Sequence, residues 1–489
     1  MKIGEIIRVA VIKTNPYWPF SVLNKIPYYV AIKVFIISCK KFPQIKSVYL
    51  RHGLTESKWV PGLSDIDLTV IIDSKLDSEQ EYYFLKSFWK RFHSLKKFFP
   101  IIGEVDIIDD EKIDSWTKFT IRGYESRFWK LIYGSETVKS NYIVNQERLA
   151  LDSLNHAITN YTGQFLPKFY SNEKPKYLLS EELHRLTDKI RRYSTKYDSK
   201  FNGNKFNHGK LNSQIDMICC IIKVLEENVK NLITLNKSNI KKQEKNMRNN
   251  FNGSSFDNRT IDSSKLDSCY GEIECMLFSN QRNFIILKDD LDPSTIKHCL
   301  EAIQEVLSEN NNRPIIISYS TFNYMIRYHN PYTYEHLKKS RRIIFGKDLL
   351  TEVEEPYDKH FIKSMLDQVI NVLPYPQSYT LFSTMSDNWL KDMKMDMYLD
   401  RFLFLKLFLE KAITKQEHKE FIGECQKQYP NYYKNIDELK NNPDKSGNCS
   451  YSIEWFRLLK DMANDIHSSL CYSRISLRLF KTEHLNYSN

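Results

Sequence analysis

Two aspartates at the start of an apolar run are the residues of this sequence best suited to chemistry. Asp65 and Asp67 open a strand-like run that ends at Ile72, and period-two alternation along a strand points both side chains to one face. Two like charges on such a face need a cation to hold them together. Mg²⁺ and Mn²⁺ prefer carboxylate oxygens. The spacing therefore predicts a divalent-metal site, with a solvated strand edge or a purely structural cation site as the alternative.

A third carboxylate, Asp106, lies in the next strand-like run, beyond an amphipathic stretch from Ser78 to Phe99. The loop from His52 to Lys58 precedes the first pair. Three carboxylates on adjacent strands, beside a loop that cradles phosphate, would form a two-metal site for in-line attack on a nucleoside triphosphate. Asp106 would hold the catalytic metal and help to deprotonate the acceptor hydroxyl. Asp109 and Asp110 are competing candidates for this third position.

These features resemble the DNA polymerase beta-like nucleotidyltransferase superfamily. Its signature is a Gly-Ser or Gly-Gly turn, then a spaced Asp-x-Asp, then a lone carboxylate on a later strand. The segment from Pro61 to Leu68 is similar to the bacterial version of this motif, and the resemblance covers roughly residues 25–135. It implies that Asp65, Asp67 and Asp106 are the catalytic and metal-binding residues.

The resemblance also implies the nucleotide contacts. The Gly-Ser position of the family falls on His52-Gly53, so Gly53 and Ser64 are expected to contact the triphosphate. Lys58 is the expected phosphate partner, and His52 is expected to contact a phosphate or the acceptor. His52 departs from the family pattern, because it replaces the glycine that lets the backbone approach the triphosphate.

Composition narrows the partners. The chain of 489 residues has a net charge of +11, which suits an anionic partner such as a nucleoside triphosphate or RNA. Arg51 and Arg122 are further cations that could bind phosphate. The basic residues are spread along the chain and no RNA-binding module is apparent. The acceptor is therefore expected to be a small molecule or a protein, with nucleic acid less favoured.

Cysteine usage and hydropathy indicate a cytoplasmic protein without a membrane role. The nine cysteines are odd in number and form no Cys-x-x-Cys pair, which argues against a disulfide framework or a zinc site. The most apolar candidate, Tyr28 to Cys39, is only 12 residues long and contains Lys33. It is predicted to be a helix that packs under the first strand.

The fold class predicted from these patterns is α+β. A small mixed-sheet nucleotidyltransferase domain and a helical bundle are followed by a degenerate second nucleotidyltransferase-like domain with further helices. The predicted segments are a catalytic domain 1–140, a helical domain 141–235, a flexible linker 236–265, the degenerate α/β domain 266–350 and a C-terminal helical domain 351–489.

The second domain is predicted from spacing. Helices from Trp116 to Tyr133 and from Tyr334 to Phe345 are each expected to end at a glycine, Gly134 and Gly346. Asp106 and Ser318 each lie 28 residues before that glycine. In this register Asp65 and Asp67 correspond to Gln281 and Asn283, so all three carboxylates are lost. The alternative is an unrelated α/β segment that matches by chance.

Two functions follow. The first is a metal-dependent nucleotidyltransferase that uses Mg²⁺ or Mn²⁺ to move a nucleoside monophosphate from a nucleoside triphosphate to an acceptor hydroxyl, with release of pyrophosphate. The second is a non-catalytic scaffold that retains nucleotide or metal binding.

Overall fold

The computed structural model describes residues 3–51, 54–55, 59–119, 125–138, 154–167, 214–236, 268–269, 271–279, 283–308, 314–329, 331–351, 373–378, 382, 407, 427–441 and 453–472. The protein is α+β with two small mixed sheets. It divides into two compact units. The split unit combines residues 2–145 with 362–489, and the middle unit is residues 146–361. Both sides of the linker predicted at 236–265 therefore belong to one unit, and residues 237–267 lie outside the described part of the chain.

The split unit contains a four-stranded sheet in the order β3-β2-β1-β4. Its strands are β1 (Ile45–Arg51), β2 (Ile66–Ile72), β3 (Ile102–Asp109) and β4 (Lys130–Gly134). β1 pairs antiparallel with β2 and β4, whereas β2 and β3 are parallel. A parallel pair needs a long crossover connection, and the helix between β2 and β3 supplies it.

Four helices precede or connect the first three strands of this sheet. They are α1 (Ile3–Thr14), α2 (Phe20–Leu23), α3 (Ile26–Cys39) and α4 (Ser78–Phe98). α4 begins at Asp77, whose carboxylate accepts a hydrogen bond of 2.8 Å from the Gln80 amide and caps the helix. Phe35 of α3 packs edge-on against Phe88 and Phe92 of α4, with ring centroids 6.3 and 6.4 Å apart. The predicted amphipathic helix after the aspartate pair is confirmed.

The middle unit repeats the strand order of the first sheet, as β7-β6-β5-β8. Its strands are β5 (Ile273–Phe278), β6 (Phe284–Leu287), β7 (Ile315–Ser318) and β8 (Arg342–Gly346). The pairing directions are also the same: β5 is antiparallel to β6 and β8, and β6 is parallel to β7. The split unit also contains the short helix α5 (Ile113–Phe119). The helices of the middle unit include α6 (Gln214–Asn236), α7 (Pro293–Ser308), α8 (Tyr319–Tyr324) and α9 (Pro331–Ser340). The sequence also predicts an amphipathic helix from Pro293 to Ser308, opened by Asp292 as an N-cap residue. This prediction is confirmed, since Asp292 accepts hydrogen bonds from the Ser294 and Thr295 amides.

Two predicted helices were wrong in their second halves. The stretch from Trp116 to Tyr133 contains the short helix α5 and then strand β4, and the stretch from Tyr334 to Phe345 ends in strand β8. Each strand pairs with the free edge of a central strand, so tertiary pairing overrides the local pattern. Each ends at a glycine with a left-handed φ, +83° at Gly134 and +79° at Gly346.

The hydrogen-bonded register shows how the two sheets correspond. Ser47 pairs with Ile71 and Gly134, and Cys275 pairs with Ile286 and Gly346. Gly134 and Gly346 therefore hold the same position.

This register corrects the correspondence that was predicted from spacing. Ile71 pairs with Ile108 and Ile286 pairs with Ile317, so Asp109 matches Ser318. Asp106 matches Ile315, three positions earlier than predicted. Asp67 corresponds to position 282 and not to Asn283. The prediction counted residues along the chain, and the two sheets differ in the number of residues between these positions and the closing glycine.

The C-terminal part of the split unit contributes α10 (Pro430–Asn441) and α11 (Ile453–Tyr472). The sequence contains an aromatic-rich segment from Tyr429 to Tyr433, and its residues from Pro430 onward lie in α10. A buried polar cluster ties this part to α4: Lys460 donates to Glu81, and Gln377 donates to Glu81 and Asp109 at 2.8 and 2.7 Å. The apolar segment Tyr398 to Ile413 lies outside the described residues, apart from Leu407.

Candidate functional site

The site is built on one face of the split unit's sheet. Arg51 of β1 lies opposite Asp67 of β2, and Thr69 of β2 lies opposite Tyr49 on one side and Asp106 of β3 on the other. Residues that are opposite each other in neighbouring strands point to the same face. Asp67 and Asp106 therefore share a face, as the sequence predicts.

The aspartate pair lies at the open end of this face. Asp65 comes directly before β2 and is exposed, whereas Asp67 is half-buried. The pairing of β2 with β3 shifts register between Ile66 and Leu68, and the Glu104 amide donates a hydrogen bond of 2.9 Å to Asp67 Oδ1. An irregularity of this kind re-aims side chains at the rim of a sheet. It fixes one carboxylate oxygen of Asp67.

Gly103 makes room for both aspartates. A Cβ at this position would lie 2.5 Å from Asp67 Oδ1 and 2.7 Å from Asp65 Cβ. Both distances are shorter than van der Waals contact, so any other residue would displace the pair. Gly103 was not predicted as a site residue, because only the paired strands reveal which side chains approach it.

Arg51 is the cation of the site. Its side chain is fully buried, Nη1 donates to Asp106 Oδ2, and Nη2 lies 3.7 Å from Glu104 Oε2. Asp106 retains 20% of its side-chain exposure. Arg51 was named from the sequence only as one of several cations that could bind phosphate. The antiparallel pairing that places Arg51 opposite Asp67 distinguishes this arginine from the other candidate cations.

Three buried polar atoms near the carboxylates make no hydrogen bond to the described residues. Arg51 Nε, Arg51 Nη2 and Thr69 Oγ1 are buried and make no hydrogen bond within the described part of the chain. Native proteins rarely leave buried donors and acceptors unsatisfied, and each costs about 1–3 kcal/mol. Arg51 and Thr69 are thus buried polar groups whose hydrogen bonding the described residues do not satisfy.

The turn that leads into Asp65 is braced by the first helices. Gly62 has a φ of +86°. The Tyr28 hydroxyl donates to the Ser64 carbonyl at 2.8 Å and accepts from the Gly62 amide at 2.9 Å. Arg8 Nε donates to the Gly62 carbonyl. Residues of α1 and α3 thus set the path of the chain that presents the aspartates.

Ser64, which was predicted to contact the triphosphate, is buried. Its hydroxyl accepts a hydrogen bond of 3.0 Å from the Val60 amide. This bond holds the turn, and the nucleotide contact remains a prediction. His52, Gly53, Lys58 and Arg122 lie outside the described residues, so their predicted roles remain predictions too.

The carboxylates do not form a metal cage in this arrangement. Across the described residues, no group of three or more His, Cys, Asp or Glu side chains is positioned to hold a metal ion. Asp106 is bonded to Arg51 instead. Asp65 and Asp67 keep the hard oxygen donors that suit a divalent cation. The pair thus fits such an ion in donor type and position, and Asp106 would be a third ligand only after release from Arg51.

The middle unit lacks this polar cluster. In the matched register Arg51 corresponds to Ser279, Thr69 to Phe284 and Asp106 to Ile315. Phe284 is fully buried, and Ile315 is also buried. The same strand order therefore folds around an apolar face where the split unit has charges.

Comparisons with protein-family models, with curated proteins and with solved structures find no match for this chain.

Proposed function

We propose that the split unit is a metal-dependent nucleotidyltransferase that moves a nucleoside monophosphate from a nucleoside triphosphate to an acceptor hydroxyl, with release of pyrophosphate. The observation that carries the proposal is the common face of Asp67 and Asp106 on the neighbouring strands β2 and β3, with Asp65 beside them. The family resemblance of Pro61 to Leu68 supports the same chemistry.

The contrast between the two sheets favours a functional origin for the charges. A buried Arg–carboxylate pair costs desolvation energy, and an apolar replacement of similar volume is often as stable or more stable. The middle unit builds the same strand order with Ser279 and Ile315 at these positions. Arg51 and Asp106 are therefore not required to form such a sheet, and a role in binding or chemistry explains their retention.

Each residue has a distinct task in this proposal. Asp65 and Asp67 would hold Mg²⁺ or Mn²⁺, which would neutralise charge on the triphosphate. Asp106 accepts the proton of the acceptor hydroxyl once it leaves Arg51. The guanidinium of Arg51 then lacks its partner, and a phosphate oxygen is the acceptor that the substrate brings.

The non-catalytic scaffold is the second candidate. The observation that favours it is the ion pair between Arg51 and Asp106, because a carboxylate that is permanently paired can neither bind a metal nor accept a proton. In that case the aspartate pair binds a metal or nucleotide without turnover.

The setting of the reaction is proposed to be the cytoplasm, with a small molecule or a protein as the acceptor. The six cysteines whose side chains are described are all free thiols. Burial raises the pKa of Cys39 to about 12, which keeps this thiol protonated and unreactive. A reducing compartment suits such cysteines.

The test is transfer of radioactive label from each α-labelled nucleoside triphosphate, with Mg²⁺ or Mn²⁺ and a cell extract as the source of acceptor. The variants are Asp65→Asn/Asp67→Asn and Asp106→Asn. Asp110→Asn is the matched control, since Asp110 bonds Lys46 and the Ser74 amide at the other end of the sheet.

We expect label in protein or in a small molecule with the native chain and with Asp110→Asn, and none with the site variants. Metal-dependent nucleotide binding without transfer would favour the scaffold. Absence of both binding and transfer would exclude both candidates. Label in RNA would correct the acceptor class and keep the reaction.

A further inference from the structure

The helices before the first strand carry most of the exposed apolar surface in the described chain. In the described chain fourteen large apolar side chains are exposed, and eleven of them lie in the N-terminal segment between Ile6 and Ile37. Tyr17 and Trp18 protrude furthest, at 67% and 82% exposed. We call these eleven side chains the N-terminal apolar surface. A concentration of exposed apolar side chains of this kind indicates an interaction site with a protein or a membrane.

The helix α3 has two apolar faces. Its inner face is buried and comprises Tyr28, Ala31, Phe35, Ser38 and Cys39. Its outer face comprises Ile26, Tyr29, Val30 and Ile37, each at least 42% exposed. A helix that is apolar all round is normally covered on every side. Among the described residues only the inner face is buried, and the outer face remains exposed.

The same segment has one sign of charge. From Ile6 to Thr55 the sequence contains no Asp or Glu, whereas it contains eight Lys and Arg residues. Lys33 is exposed within the outer face of α3, and Lys40 and Lys41 are exposed directly after it. The partner of this surface must therefore be apolar and also tolerate or favour positive charge.

We propose that the N-terminal apolar surface binds the surface of a bilayer that contains anionic lipids. Tyrosine and tryptophan are the residues that settle at the membrane–water interface, and flanking lysines are attracted to anionic headgroups. A second copy of the chain is disfavoured, because a symmetric contact would bring the same positive charges together.

The geometry indicates that the helices lie on the bilayer. The helical segment Phe20–Cys39 is the one segment among the described residues that is long and apolar enough to cross a membrane. However, Phe35 packs against α4, and the Tyr28 hydroxyl bonds Gly62 and Ser64. A membrane-spanning α3 would lose these contacts, whereas an interfacial α3 keeps them.

This inference does not depend on nucleotidyl transfer, since it rests on exposure and charge. It does bear on the aspartate site, because Arg8 and Tyr28 belong to the same helices and brace the turn before Asp65. Membrane binding would hold that turn near the lipid surface.

The experiment is co-sedimentation of the purified full chain with two kinds of vesicle, phosphatidylcholine alone and phosphatidylcholine mixed with phosphatidylglycerol. Tyr17→Ser/Trp18→Ser removes the protruding aromatics, and Lys33→Glu/Lys40→Glu reverses the charge. The matched controls are Phe98→Ser, another aromatic that is 81% exposed, and Lys75→Glu, another exposed lysine. Circular dichroism and size-exclusion chromatography establish that each variant is folded.

We expect binding to the anionic vesicles that weakens in high salt. The affinity should fall by at least tenfold in Tyr17→Ser/Trp18→Ser and by roughly fivefold for each lysine that is lost in Lys33→Glu/Lys40→Glu. The controls should bind like the native chain. Equal binding to both vesicles would overturn the role of charge. No binding to either, or an oligomer that only Tyr17→Ser/Trp18→Ser disrupts, would overturn the proposal, and the second result would identify a protein contact instead.

Discussion

Arg51 reaches Asp106 across a whole strand. The two residues lie on β1 and β3, and β2 runs between them. Neighbouring strands are about 4.8 Å apart, so the arginine side chain must extend over Thr69, the small residue that lies opposite Asp106. A lysine has no planar fork with which to hold the carboxylate from that distance, and arginine is the natural choice.

The first prediction uses the middle unit as a template. Arg51→Ser alone removes the buried ion pair with Asp106 and should lower the free energy of unfolding by about 3 kcal/mol. The double variant Arg51→Ser/Asp106→Ile copies the pair Ser279 and Ile315 and should recover most of that loss. Chemical denaturation measures both.

Nucleotidyl transfer separates structure from function in the same variants. We expect none from Arg51→Ser/Asp106→Ile despite its recovered stability. Full transfer by the stable double variant would show that the pair has only a structural role.

The second prediction concerns the room above Gly103. Gly103→Ala would place a methyl group 2.5 Å from Asp67 Oδ1, so the aspartates must move apart. Metal-dependent nucleotide binding should weaken by at least tenfold, while stability falls by about 1–3 kcal/mol. Isothermal titration with Mn²⁺ and nucleotide measures the change. Gly271→Ala is the control, because a Cβ there would meet no atom within 4 Å.

The third prediction tests the closing glycines of the two sheets. A Cβ at Gly134 would lie 1.9 Å from the Lys46 carbonyl oxygen, and one at Gly346 would lie 2.0 Å from the Glu274 carbonyl oxygen. Both glycines also have a left-handed φ. Each change to alanine should cost about 3 kcal/mol or more, as measured by thermal unfolding. Gly163→Ala, with open space around it, should be nearly neutral by comparison.

The fourth prediction is a pH dependence set by Lys46. Hydrogen bonds from Lys46 lower the pKa of Asp73, and they lower the pKa of Asp110 despite its partial burial. A carboxylate with a lowered pKa stabilises the folded state above its ordinary value of 3.8, and this contribution is lost as the pH falls through the lowered pKa. Stability should therefore decline below about pH 4.

The corresponding variant is Lys46→Met. It should flatten the acid decline and lower stability at neutral pH by about 1 kcal/mol or less, since all three groups are partly exposed. Denaturation curves at a series of pH values measure the slope. An unchanged acid slope would show that other carboxylates dominate it.

Elements whose signals are local were predictable from the sequence. Alternation around Asp67 predicts the strand β2, the carboxylate of Asp292 predicts the start of α7, and the apolar stripe between Ser78 and Phe99 predicts α4. Each of these signals lies within the element that it specifies or next to it. The common face of Asp67 and Asp106, by contrast, depends on the register between β2 and β3, because alternation fixes faces only within one strand.

Features that depend on pairing between distant segments were not predictable. β4 and β8 carry apolar residues that suit a helix equally well, and only the free edges of β1 and β5 make them strands. The contact between Arg51 and Asp106 requires knowledge of the strand order. The close approach of Gly103 to Asp67 requires the register shift between β2 and β3.

The buried cluster around Glu81 has a consequence for the order of events during synthesis. Lys460 lies 379 residues after Glu81, and Gln377 lies 268 residues after Asp109. A ribosome adds roughly 5–20 residues per second, so Glu81 waits on the order of 20–80 s for its partner. The middle unit, residues 146–361, emerges in full before Lys460 is made. The unit that begins first along the chain is therefore the last to be completed, and a nascent chain must protect this incomplete unit from aggregation throughout that interval.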